Sequence, residues 1–375
     1  MKTGETEFRA ERSAVIAATA AVAATYVYFL LFAELALLEL ARPLTEGTTW
    51  RGRGLFTCLG VGGLVGCGLA VWRCNVVRWQ AQLSWGFRAC AVAAALALAA
   101  GTWWGMWLVV AGLVGATLGW LTVILVSGLR ATVGTVRLGW VVGLGTGLAY
   151  AICNLPGVVD ASARTQTIVV AFVAGAGSLL APFLTPREPS VSLESDYRIL
   201  GFGRWVLMLL VLVWLDAVAH HVIQREAGLQ PGTGAGSGRV VANAVIHLLL
   251  AVGAGWWLDR GGRMSLIAVA LGLLVAGCLA LNGGMAALAS LAYAAGVSIY
   301  AVVLVYYPAR GGRATQAGGV LVVAGGLGAA LGSGMARELE GVPGWFLAVA
   351  VGVIALMGTW RWLTRRGEKL NPTTT

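Results

Sequence analysis

The chain has 375 residues, 58% hydrophobic and only 11% charged, with a net charge of +10 and a mean hydropathy of +0.82. A soluble domain carries charge on roughly a quarter of its residues, so this composition excludes a soluble globular protein and selects an integral membrane protein. Its basic residues stand singly between apolar runs, a pattern that fits orientation in a bilayer and excludes a nucleic-acid surface.

Lipid admits only helices or a closed barrel, and apolar runs of about 20 residues without strand-like alternation select helices. Residues 1–13 are polar, and the apolar run after them is too long for a signal-peptide core. Twelve spans follow, near 15–40, 54–72, 86–101, 104–127, 138–156, 166–184, 204–225, 238–258, 264–281, 284–306, 315–336 and 344–363. The polar stretch 185–203, with two prolines, divides them six and six. The expected organisation is therefore an N-terminal six-helix half over 1–184, a linker over 185–203 and a C-terminal half over 204–375. With the N-terminus inside, 19 of the 26 Lys and Arg residues fall on inner segments and seven on outer ones. That bias places both termini and the linker in the cytoplasm, in a membrane expected to be the bacterial inner membrane.

Ionisable groups inside a bilayer are costly, so each is a functional candidate. Span one carries Glu34 in its outer part, above Tyr26 and Tyr28; Glu34 reads either as a cavity carboxylate or as an acid at a helix end, and Glu39 as interfacial. Span two is rich in glycine (Gly60, Gly62, Gly63, Gly66, Gly68), and span five spaces Gly139, Gly143 and Gly147 four apart on one face. Span seven carries Asp216 near mid-depth, with His220 one turn on and His221 beside it. Span eight returns with Asn243 and His247 on one face, His247 at about the depth of Asp216. Three readings stand for this hairpin. Asp216 binds a proton that a histidine relays; or Asp216 and the histidines bind a transition metal as cargo; or the polar groups simply join helices. No lysine or arginine lies near mid-membrane, which disfavours a strongly anionic substrate. The six cysteines form no CxxC pair and read as small core residues, not as metal ligands.

Between spans eight and nine, Gly255, Asp259, Arg260, Gly262 and Arg263 fit the pattern G-x-x-x-D-R-x-G-R. This resembles the cytoplasmic loop signature of the major facilitator superfamily. Asp259, at a helix end, is expected to pair with an arginine across the loop and so latch a cytoplasmic gate. Half the chain earlier, Gly68 to Arg73 echoes the pattern with Trp72 at the aspartate position. The resemblance implies two six-helix halves in parallel repeat, with spans two and eleven, and five and eight, packing across them as sliding faces. The glycines of span eleven (Gly318, Gly319, Gly325, Gly326, Gly328, Gly332, Gly334) suit such a face.

The expected function is secondary active transport of a small solute by alternating access, coupled to protons through Asp216, without enzymatic activity or cofactor. The candidate substrate and proton pathway is Asp216, His220, His247, Glu34 and Asn243; the candidate gate is Gly255, Asp259, Arg260, Gly262 and Arg263. The second reading is a non-transporting membrane subunit or assembly factor, which would add other membrane subunits to the lipid and solute as partners. No nucleotide-binding loop is present in the sequence, which argues against an ATP-driven pump.

Overall fold

A computed structural model describes residues 2–186, 202–225, 236–261, 263–338, 342–353 and 355–356. Ten helices among them are long and apolar enough to cross a membrane, and two shorter apolar helices, Leu138–Cys153 and Gly344–Val353, bring the number to twelve. So many glycines do not unravel these helices, because the bilayer core offers the backbone no competing water partner.

Span one is one long rod: α-helix over Lys2–Val27, a π-helical stretch over Tyr28–Ala36, and α-helix again over Leu37–Thr45. Span two is Thr49–Arg73, span three Trp79–Ala99 after a short 3-10 turn at Val76–Arg78, and span four Trp104–Val133. Span five, Leu138–Cys153, stops short of the expected residue 156. The Asn154 amide turns back onto the Tyr150 carbonyl at 2.9 Å, and Pro156 opens a separate turn of helix, Pro156–Val159. Span six is Ala163–Leu180. The second half runs Phe202–Arg225, Gly236–Asp259, Arg263–Asn282 and Ala286–Gly311. Gly312 ends span ten in a left-handed conformation (φ 62°), its amide bonding the Pro308 and Ala309 carbonyls. Span eleven is interrupted like span one, with π-helix over Leu321–Leu327 between Ala314–Val320 and Gly328–Glu338. Most of the 185–203 linker and the end of span twelve lie outside the described residues.

The glycines sort into two kinds of contact. On span two they do not form a face that slides between the halves. A Cβ on Gly62 would strike the Gly112 carbonyl and one on Gly66 the Ala116 carbonyl, both on span four of the same half. Span two is thus locked onto its own neighbour, with Gly115 and Gly119 of span four completing the interdigitation. Span two still meets span eleven, through Val71 beside Gly318 and Leu64 beside Gly326. Gly328 and Gly332 of span eleven instead sit against Val213 and Ala217 of span seven.

Between spans five and eight the expectation holds. Cβ atoms on Gly139 and Gly255 would each run into the other's carbonyl, and one on Gly143 would lie 2.5 Å from the Ala251 carbonyl. The two backbones touch, and they belong to different halves. The contact is tightest toward the face of the bundle where span one begins. On that face Arg130, at the end of span four, also donates to the Arg310 carbonyl at the end of span ten (3.1 Å).

Candidate functional site

Span ten organises the centre. Tyr293 and Tyr300 stand seven residues apart, two turns along one face, and both phenols donate to Asp216 of span seven: Tyr293 to Oδ1 at 2.7 Å, Tyr300 to Oδ2. Each carboxylate oxygen therefore has its own hydroxyl donor, in a charge-assisted bond. The His220 ring lies parallel to Tyr293, centroids 6.5 Å apart, so span seven meets span ten through two consecutive turns. Glu34 faces the same region from the first half, within electrostatic reach of Asp216, Tyr150 and Tyr293. Glu34, Asp216, His220 and Tyr293 are all only partly buried, whereas Tyr300 is buried. Glu34 sits on the π-helical stretch of span one, a wider turn of the kind often found at functional sites. Glu39, by contrast, is exposed and pairs with Arg42 at 3.2 Å, as an interfacial acid would.

His247 belongs to a different contact. It is buried, its Nδ1 lies 2.7 Å from the Ser298 hydroxyl, and its ring stacks on Tyr150 at 4.6 Å and 15°. Tyr150 is on span five, so this stack bridges the halves at mid-depth. Ser298 in turn donates to the Ala294 carbonyl (2.6 Å). Asn243, one turn before His247, has a buried carbonyl oxygen without a hydrogen-bond partner among the described residues. The hairpin of spans seven and eight thus splits. Asp216 and His220 share one face of span ten, while His247 addresses Ser298 on another. Among the described residues no group of three or more His, Cys, Asp or Glu is placed to hold a metal ion.

Tyr26 of span one donates to the Ala301 carbonyl of span ten at 2.7 Å, a second bridge between halves at mid-depth. Seven of the eight tyrosines lie on spans one, five and ten. Phenols in the middle of spans, away from the interfaces where tyrosine usually anchors, were the signal for this ring of residues. Sequence reasoning followed the charged residues and missed span ten.

In the candidate gate motif the described bonds of the Asp259 carboxylate run to backbone amides, while the side chain of Arg263, the arginine across the loop, lies outside the described residues. The Asp259 Oδ1 accepts from the Gly139 amide (2.7 Å) and its Oδ2 from the Trp140 amide (2.8 Å), at the first turn of span five in the opposite half. Those amides are orphan donors at a positive helix end, the place where a carboxylate is most useful. Gly139 and Gly255 permit the approach, since a side chain at either would separate the two helices. Arg260 lies over the Trp256 ring at 3.7 Å. Gly262 lies outside the described residues, and of Arg263 only the backbone, opening span nine, is described.

No protein-family model matches the chain, and no curated protein does. Solved structures do. It is similar to the major facilitator superfamily transporter FucP in its outward conformation, at 15% identity and a TM-score of 0.64, over 92% of this chain and 98% of that one. The proton:xylose symporter XylE aligns at 14% identity and a TM-score of 0.68, covering 94% of this chain and 95% of that one. A bacterial homologue of the iron transporter ferroportin, in an outward-facing state, aligns at 13% and 0.61 over 95% and 99%. With its twelve helices in two halves, this integral membrane protein has the major facilitator superfamily fold.

Proposed function

We propose that the protein is a secondary active transporter that moves a small neutral or cationic solute by alternating access, coupled to protons through Asp216. The observation that carries this reading is the cluster between the halves of Asp216, Glu34, Tyr293 and His220, all partly accessible, with Tyr300 buried behind them. A structural relic has no need for two carboxylates at that cost. Two acids and several phenols, with no arginine or lysine at their level among the described residues, suit a polyhydroxylated or positively charged solute and repel an anion. Among the similar structures is a proton-coupled symporter of the sugar xylose.

Proton and solute are linked through hydrogen bonding at Asp216. Ionised, the carboxylate accepts from both phenols in charge-assisted bonds; protonated, one oxygen becomes a donor and a much weaker acceptor, which loosens the bond from one phenol. That phenol is then available to a solute hydroxyl. With both termini in the cytoplasm, as the basic-residue bias requires, the closed face is cytoplasmic and the state is the outward-facing one. The three latch components, Asp259 on Gly139 and Trp140 and Arg130 on Arg310, must part for the inward-facing state.

The test begins with a thermal-shift screen of the purified protein against sugars, amines and amino acids, since a ligand of the folded state stabilises it by mass action. The solute found is then loaded in proteoliposomes. Asp216→Asn should abolish accumulation against a gradient while exchange at equal concentrations survives. Normal accumulation in Asp216→Asn with lowered thermal stability would make the cluster interhelical glue. The second reading, a non-transporting subunit, draws support from Trp72 at the first-half aspartate position; stable co-purification with a larger complex would favour it.

A further inference from the structure

On the outer flank of the first half, two grooves lie side by side along span three. One, about 400 Å³, is lined by Arg73, Asn75, Arg78, Gln82, Trp85 and Trp120. The other, about 290 Å³, continues past Trp85 to Arg88, with Gln80, Ser84 and Pro182 on its walls. We infer that these grooves bind the phosphate headgroup of an anionic phospholipid from the leaflet on the closed face of the bundle.

The charge is one-sided. Residues 47–159 contain seven arginines and not a single aspartate or glutamate. Among the described residues, Arg73, Arg78 and Arg88 have no carboxylate partner, whereas Arg137 pairs with Glu11 and Arg42 with Glu39. Two of the three guanidinium groups instead lie beside indoles: Arg73 over Trp72 at 4.2 Å, Arg88 near Trp85 at 5.5 Å. Gln82 and Trp85, three residues apart, lie on one face of span three, and Arg78 stands at the N-cap of the same helix.

The groove floor is held in shape. The Gln82 amide donates to the Arg73 carbonyl (2.7 Å), its Oε1 accepts from the Asn75 amide (3.1 Å), and Trp120 donates to the Gln82 carbonyl (3.3 Å). Spans two, three and four are thereby tied together beneath the arginines.

The surroundings are those of a lipid, not of a soluble ion. Trp72, Val77 and Trp85 are 69%, 93% and 66% exposed, and Val92 on span three and Val65 and Leu69 on span two are exposed apolar side chains on the same helices. Acyl chains would lie along these helices while the headgroup meets the arginines at the level where tryptophan and snorkelling arginine belong. Basic pockets between helices on one membrane face recognise anionic headgroups in this way.

The experiment compares phosphatidylglycerol with phosphatidylcholine of the same acyl chains, added to the full-length protein in a neutral detergent. Phosphatidylglycerol should raise the thermal midpoint by about 3–5 °C more than phosphatidylcholine. Native mass spectrometry should show it retained in preference. Arg78→Gln should halve the difference, and Arg73→Gln with Arg78→Gln and Arg88→Gln should abolish it. Arg51→Gln with Arg53→Gln, at the opposite membrane face, should leave it intact. Should the triple variant fail to fold, lipid retention in the three single variants decides. Equal effects of the two lipids, or preference surviving in the arginine variants, would overturn the proposal. A shift reproduced by inorganic phosphate would assign the grooves to a free anion and overturn the lipid reading. Loss of the preference after neutralising Glu188, Glu194 and Asp196 of the linker, but not the arginines, would overturn it as well.

Discussion

Asp259→Asn is the sharpest perturbation of the closed face, because it changes charge while keeping shape. The carboxylate accepts two short hydrogen bonds, 2.7 Å from Gly139 and 2.8 Å from Trp140, across the boundary between halves. A hydrogen bond to a charged group contributes about 1.5–3 kcal/mol, and a charge at a helix N-terminus about 0.3–1 kcal/mol more. Asparagine keeps one acceptor and turns a donor toward the second amide, so roughly one charged bond and the dipole term are lost. Asp259 is only half buried, so solvent screening cuts the loss to about 1–2 kcal/mol. That is about a 5- to 30-fold shift in the equilibrium between closed and open forms of this face. Hydrogen exchange followed by mass spectrometry reads it directly. The amides of Gly139 and Trp140 should exchange about 5- to 30-fold faster, and so should amides near Gly312, at the other contact between the halves. Faster exchange at span five alone would mean a local cap without a gate. Unchanged exchange at both sites would refute the latch.

Three further outcomes are expected. Trp72→Asp should create a second latch against the start of span eleven, whose first turn has no side-chain cap, and slow exchange at residues 314–317; unaltered exchange there would show that the first-half position no longer faces that helix end. His247→Ala removes the Ser298 bond and the Tyr150 stack, and should cost about 2–3 kcal/mol of stability while leaving the pH profile of solute flux unchanged; a displaced profile would make His247 part of the proton path. Reporter fusions after Thr375 and within Glu188–Asp196 should be active only on the cytoplasmic side, and a periplasmic signal from either would break the twelve-span topology.

The fold was legible because it rests on coarse quantities. Apolar length fixes the number of spans, and the alternation of basic residues sets the orientation to be expected of them. Asp259 was legible as a residue that needs partners, since a carboxylate at the end of span eight has few stable uses, but the span five amides that it meets were not. Backbone amides leave no mark in a sequence, and the clue lay in Gly139 and Gly143, whose spacing showed a smooth face without naming what approaches it. The glycines of span two misled for the same reason. They look identical whether the neighbour is span eleven or, as found, span four. Asp216 and His220 were found by charge; Tyr293 and Tyr300 were not, because a neutral phenol in an apolar helix stands out only when its depth is considered. The π-helical stretches of spans one and eleven have no sequence signature we recognise.

Span ten connects the Asp216 cluster to the contact between the halves at the face where span one begins. Its side chains reach Asp216 through Tyr293 and Tyr300, and His247 through Ser298; its backbone receives Tyr26 at Ala301 and Arg130 at Arg310. Arg310 also donates to the Tyr306 hydroxyl at 3.0 Å, one turn back. From Tyr293 to Arg310 is about 26 Å along one helix, a continuous rod contacting both halves at mid-depth and at the closed face. On the proposed reading, a proton on Asp216 loosens the bond from one phenol of this rod, and a solute that binds that phenol decides which way the rod settles. Neither event needs a relay of side chains through the bundle, because a helix transmits a tilt without loss of its own hydrogen bonds. Coupling of this kind requires that the two ends move together. Tyr300→Phe, 10 residues from Arg310, should therefore alter hydrogen exchange at the Arg130–Arg310 contact even though it touches neither residue. A change confined to the neighbourhood of Asp216 would show that span ten bends between site and gate, and the coupling would have to run through span seven instead.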